Sequence, residues 1–126
     1  MANDRKPVRW VGSSREDLRS FPDEVKLEVG HALTLAQLGG KPPTAKPMEG
    51  FKGATVLKIV EDHDGETYRV VYTVKFEEAV YVLHAFQKKS KSGIATPRQE
   101  LDLIKARFKR AAEEHEQWVS QRKKSR

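Results

Sequence analysis

The sequence predicts an α+β fold, a small antiparallel sheet packed with an N-terminal helical hairpin and a C-terminal helix. Two observations carry this. Apolar residues recur at spacings of three and four towards both ends of the chain, while β-branched and aromatic residues dominate three short segments in the middle. The changes of period fall at turn and cap residues, which is where a change of element belongs.

Taken in order, residues 8–11 form a short apolar strand behind Pro7. Ser13-Ser14-Arg15-Glu16 has the form of a capping box opening a helix, with Glu16 reaching back to Ser13. Pro22-Asp23-Glu24 restarts the helix, because proline suits the first position and acids suit the positive end of the helix dipole. Val25, Val29, Ala32, Leu33 and Ala36 mark its buried face, Leu27, Leu35 and Leu38 widen it, and Gly39-Gly40 stop it. Residues 41–53, with Pro42, Pro43, Pro47, Gly50 and Gly53, read as one connecting loop ending in an aromatic beside a cation, Phe51-Lys52.

Segments 54–60, 68–74 and 79–86 read as a three-stranded meander, the first turn of which carries Asp64-Gly65. Thr96-Pro97-Arg98-Gln99 gives a second capping box. Leu101, Ile104, Phe108, Ala111, His115 and Trp118 then form the stripe of a long amphipathic helix, with Lys105, Arg107, Lys109 and Arg110 mostly directed away from the core. The expected organisation is one domain over residues 1–120 and a basic, frayed tail over 121–126.

With 126 residues the chain is long enough for a core without covalent staples. The absence of cysteine removes disulfide frameworks, thiol catalysis and thiolate metal sites, and fits a reducing compartment. No apolar run reaches the length of a membrane span and the N-terminus lacks a signal-peptide core, so a cytoplasmic protein without a membrane partner is expected. No histidines stand at metal-ligand spacing, so no metal and no cofactor is expected.

Positive charge is unevenly spread. Residues 88–98 carry four cations and no acid, residues 105–126 carry eight cations against three acids, and the net charge of +6 therefore leaves the remainder negative. A polyanionic partner, nucleic acid before membrane, is the functional reading, with a solvated helix face as the plain alternative. Arg69, mid-strand between Tyr68 and Val70, is costly unless its face meets an anion or an acid, and Lys58 on the neighbouring strand has the same status. Gln87, Lys88, Lys89 and Lys91 at the end of the last strand can clamp a phosphate backbone or guard a sheet edge. Lys52 and Arg98 are further candidate RNA contacts. His84 is a candidate acid–base group by pKa, although strict alternation sets it with Val80, Val82 and Phe86, where a hydrogen-bonded sheet histidine is the competing reading.

The Tyr68-Arg69-Val70-Val71-Tyr72 strand, then His84-Ala85-Phe86-Gln87-Lys88-Lys89, then Thr96-Pro97, in this order and behind a helical hairpin, resembles the RelE/ParE superfamily of type II toxin–antitoxin toxins, closest to its HigB-like, phage-derived branch. The resemblance covers about residues 8–116. It implies a RelE-like fold and a ribosome-dependent mRNA endonuclease, neutralised by a helix-turn-helix antitoxin and acting with the ribosome and mRNA as partners. It also implies metal-free chemistry, in which the RNA 2′-hydroxyl attacks the adjacent phosphorus. By this resemblance Arg69, Lys88 and Lys89 are catalytic. Lys58 stands where relatives often carry arginine, a departure that removes a bidentate grip on phosphate. The alternatives are a ParE-like inhibitor of DNA gyrase and a non-catalytic basic RNA-binding or ribosome-associated module.

Overall fold

The computed structural model describes residues 5–88 and 96–124. Its elements run β1 (Val8–Trp10), α1 (Ser14–Arg19), α2 (Asp23–Gln37), β2 (Ala45–Pro47), β3 (Val56–His63), β4 (Glu66–Thr73), β5 (Val80–Lys88) and α3 (Arg98–Lys124). The α+β class is as expected, but the sheet is larger than a meander: five strands in the order β1-β5-β4-β3-β2. β1 pairs in parallel with β5, whereas the other neighbours are antiparallel. β2 lies inside the segment expected to be a plain loop, with Ala45 opposite Ile59 and Pro47 opposite Leu57. Proline is tolerated there because an edge strand leaves one row of backbone groups unpaired.

The β3–β4 hairpin closes on Asp64 at φ 50° and Gly65 at φ 79°, the double left-handed geometry that an Asp-Gly turn supplies. Side chains alternate across the sheet, so each strand feeds two cores. On one face Val25, Val29, Ala32, Leu33 and Ala36 of α2 pack on Leu57, Ile59, Val70, Tyr72, Val80 and Val82. On the other, Ile104 and Ala111 of α3 pack with Val11, Met48, Val71, Tyr81 and Leu83, edged by Phe51, Phe86, Phe108 and Trp118.

Neither capping box forms as expected. Ser13 gives its hydroxyl proton to Asp17 at 2.8 Å, with no side-chain cap on α1, and Thr96 gives its own to Glu49 at 2.8 Å. α3 stays helical through Lys124, past the expected start of a frayed tail, and the Arg122 guanidinium lies 4.7 Å from the Trp118 ring. His115, buried on the α3 stripe, lies 2.7 Å from Glu78 through Nε2 and 3.0 Å from the Tyr81 hydroxyl through Nδ1. With Nε2 donating to the carboxylate, Nδ1 accepts from tyrosine, a chain that ties the helix to β5. Among the described residues no helix is long and apolar enough to cross a membrane.

Candidate functional site

β5 breaks the simple alternation. Val71 faces His84 but Tyr72 faces Val82, so Leu83 is an extra residue, a β-bulge. The bulge shifts every later side chain by one position. His84, Phe86 and Lys88 therefore turn to the α3 face, and His84 is parted from Val80 and Val82, contrary to the strict-alternation reading.

Arg69 lies opposite Phe86 and Val60, Lys58 opposite Val71, and Lys88 opposite Thr67. Directly opposite residues share a face, and diagonal neighbours in a sheet stand roughly 7–8 Å apart. Lys58, Arg69 and Lys88 thus form one diagonal row across three strands. All three are buried, at 8%, 6% and 9% exposure. Lys58 meets Glu49 at 3.3 Å. Among the described residues Arg69 has no such carboxylate partner, and its Nε and Nη1 are buried without a hydrogen bond. Partial burial, the Arg69 guanidinium and the Lys58 ammonium together hold the Lys88 ammonium below its usual pKa, with Glu49 opposing. Among the described residues the three buried cations lie near the Glu49 carboxylate, and a guanidinium with two idle donors is poised for an anion.

The acid in this group, Glu49, was not singled out in the sequence. Burial raises its pKa, but the Thr96 hydroxyl, a backbone hydrogen bond and Lys58 outweigh that and hold the carboxyl below the ordinary range. A depressed carboxyl contributes stability that is present above its unfolded value and is lost as pH falls through the folded one. We expect wild type to be slightly more stable than Glu49→Gln at pH 6, by less than about 1 kcal/mol because the carboxylate is half exposed. The gap should close on acidification below pH 4; a gap that persists there would show that glutamine disturbs packing.

His84 is fully engaged. Arg107 Nη1 donates to its Nδ1 at 3.2 Å, so Nε2 carries the proton and gives it to Glu100. Its ring stacks on Phe86 at 4.9 Å. No nitrogen is open to take a proton from a substrate, and the hydrogen-bonded sheet histidine is the role the geometry gives it. Arg107, expected to point outward, turns in instead to Leu83 O at 3.0 Å and Ser13 Oγ at 3.1 Å as well. Lys105, Lys109 and Arg110 are exposed as expected.

The other candidates are scattered. Gln87 pairs with Tyr68 and faces the α2 side, away from the cation row. Lys52 is exposed in the turn before β3, and Arg98 is exposed at the start of α3 at 4.0 Å from Asp102. Lys89 and Lys91 lie outside the described residues. Among the described residues no three His, Cys, Asp or Glu side chains group as metal ligands do.

Fold and site together define a small α+β protein with a buried row of positive charge on the α3 face of its sheet. Residues 16–109 match the family model described as Phage derived protein Gp49-like (DUF891), and the chain belongs to that family. Among solved structures, the toxin–antitoxin complex RelBE2 from Mycobacterium tuberculosis is similar to it at 20% identity, covering 71% of this chain and 98% of that one, with a TM-score of 0.44. No curated protein matches.

Proposed function

We propose that the chain is the toxin of a type II toxin–antitoxin system, RelE/ParE-like in its HigB-like branch, with its toxin domain over residues 1–120. On this reading it cleaves mRNA on the ribosome, in the cytoplasm, and is held in check by a helix-turn-helix antitoxin. The observation that carries the reading is the Arg69 guanidinium, buried between Lys58 and Lys88 with two donors unused. A buried, unpaired charge is destabilising, and a phosphate seated on it would offset that cost. The strand motif around Arg69 and the Lys88-Lys89 strand end support the same reading from sequence.

The chemistry follows without a metal. The RNA 2′-oxygen forms a bond to phosphorus, the bond to the 5′-oxygen breaks, the proton lost by the 2′-hydroxyl passes to a base, and the departing 5′-oxygen takes up a proton from solvent. Lys88, its pKa lowered by burial and by Arg69 and Lys58, is suited to that task in its neutral form. Arg69 and Lys58 face the charge that develops on the phosphoryl oxygens. Lys89 and Lys91 extend the clamp by their sequence position, and Lys52 and Arg98 provide outer contacts.

Induction of the protein alone should arrest growth and create new mRNA 5′ ends within coding regions, mapped by primer extension. Growth arrest with intact mRNA and double-strand breaks would instead indicate a gyrase inhibitor, and neither effect would indicate a binding module. Cleavage should also rise with pH along a limb centred below the ordinary lysine range, and that limb should be missing in Lys88→Gln. A limb that survives the substitution would move the base elsewhere.

A further inference from the structure

α2 has a second apolar side. The first, Val25, Val29, Ala32, Leu33 and Ala36, is spent on the sheet. The second is Leu27, Leu35 and Leu38, exposed at 59%, 42% and 56%, with His31 exposed between them. At 100° per residue these positions fall within about a quarter-turn of one another, so they form one stripe. Single exposed leucines are ordinary, but three on one helix face form a patch that folding leaves uncovered.

Acids border that stripe. Glu24 and Glu28, exposed on the neighbouring helical positions, join Glu61, Asp62 and His63 at the end of β3, and with Leu27 they line one shallow depression. His63 is 3.5 Å from Glu24 and 3.4 Å from Asp64, and is the one basic group facing this border among the lining residues. Burial, then Glu28 and Asp62, raise the Glu61 pKa, as expected where like charges crowd. The chain as a whole is net positive, so this negative edge is a local reversal.

We infer that the Leu27–Leu35–Leu38 stripe and its acidic border dock an amphipathic, cationic helix of a partner protein. Leucine-like side chains at spacings of three and four would fill the stripe, and lysines or arginines along one flank would meet Glu24, Glu28, Glu61 and Asp62. The border repels nucleic acid and anionic lipid, which sets a protein segment ahead of either as occupant. α2 covers the face of the sheet opposite to the cation row, so such a partner would not lie over Lys58, Arg69 and Lys88. The inference does not depend on the proposed nuclease activity.

The test uses the full chain and a synthetic, labelled peptide of about five helical turns with leucines on one face and lysines along its flank. Anisotropy should show saturable binding that weakens with salt, and amide shifts should change along α2 and the end of β3. Leu27→Ser with Leu35→Ser, both surface changes, should weaken binding about tenfold or more. Glu24→Lys with Glu28→Lys should do the same through charge alone, while Arg69→Lys should leave binding unchanged. Equal affinity for a peptide of the same composition with scattered leucines would overturn the inference. So would shifts confined to another surface, binding of phosphatidylserine vesicles that Glu24→Lys does not improve, or a concentration-dependent dimer in sedimentation that Leu27→Ser abolishes.

Discussion

On the proposed nuclease reading, replacing Arg69 by methionine should abolish RNA cleavage and raise the melting temperature in the same protein. The guanidinium is buried mid-sheet, with Nε and Nη1 lacking any hydrogen bond, and it lies in one row with Lys58 and Lys88. Each buried polar group left unpaired costs about 1–3 kcal/mol, and methionine keeps much of the apolar stem while removing the charge. A gain of about 1–3 kcal/mol corresponds to roughly 4 °C in melting temperature for each kcal/mol in a domain of this size. Loss of one preorganised donor to a charged transition state costs about 10²–10³ in rate, and loss of the charge itself should cost at least that.

Arg69→Lys separates charge from shape. Lysine keeps the positive charge but cannot present the planar fork, so cleavage should fall steeply while stability changes little. Growth arrest in the cell and cleavage on purified ribosomes measure the first quantity, and thermal unfolding measures the second. If Arg69→Met melts lower than wild type, the guanidinium holds the sheet together and the anion site must be rebuilt around Lys58 and Lys88.

How far this site could be read from sequence depends on which contacts are local. Arg69 stands out in a single strand, because a charge between Tyr68 and Val70 violates the strand's own pattern. The α3 stripe is likewise local, repeating every three or four residues from Leu101 to Trp118. Strand β2 left little trace, since a three-residue edge strand ending in proline has the composition of a loop and is defined only by its partner β3. The Leu83 bulge left none. It arises where β5 must satisfy β1 on one side and β4 on the other, and it alone determines that His84 faces α3. Glu49 could have been suspected from its place between Met48 and Gly50-Phe51, but its partners Lys58 and Thr96 are brought together only by the fold.

Arg107 is the residue whose role was least legible, and its replacement should have the second large effect. A bulge removes one residue from the regular ladder, and here the freed Leu83 carbonyl is taken up by Arg107 Nη1 at 3.0 Å. The same guanidinium donates to His84 Nδ1 and, through Nη2, to Ser13 Oγ. It reaches these acceptors by crossing Gly12, which is left-handed at φ 58° and where a Cβ would stand 2.8 Å from Arg107 Nε. Arg107→Met should therefore strand Leu83 O and His84 Nδ1 at once, beside the exposed Ser13 Oγ, and cost about 2–4 kcal/mol, read as a drop of roughly 4 °C per kcal/mol. On the proposed nuclease reading, cleavage should fall further than stability explains, because the bulge aims Phe86 and Lys88 and the His84 ring loses the donor that fixes its tautomer. Gly12→Ala should reproduce part of the same loss from the opposite side of the contact. If Arg107→Met melts like wild type, water caps Leu83 and the guanidinium is a surface group; if it melts lower but cleaves at the wild-type rate, the bulge is held by β1 and β4 alone.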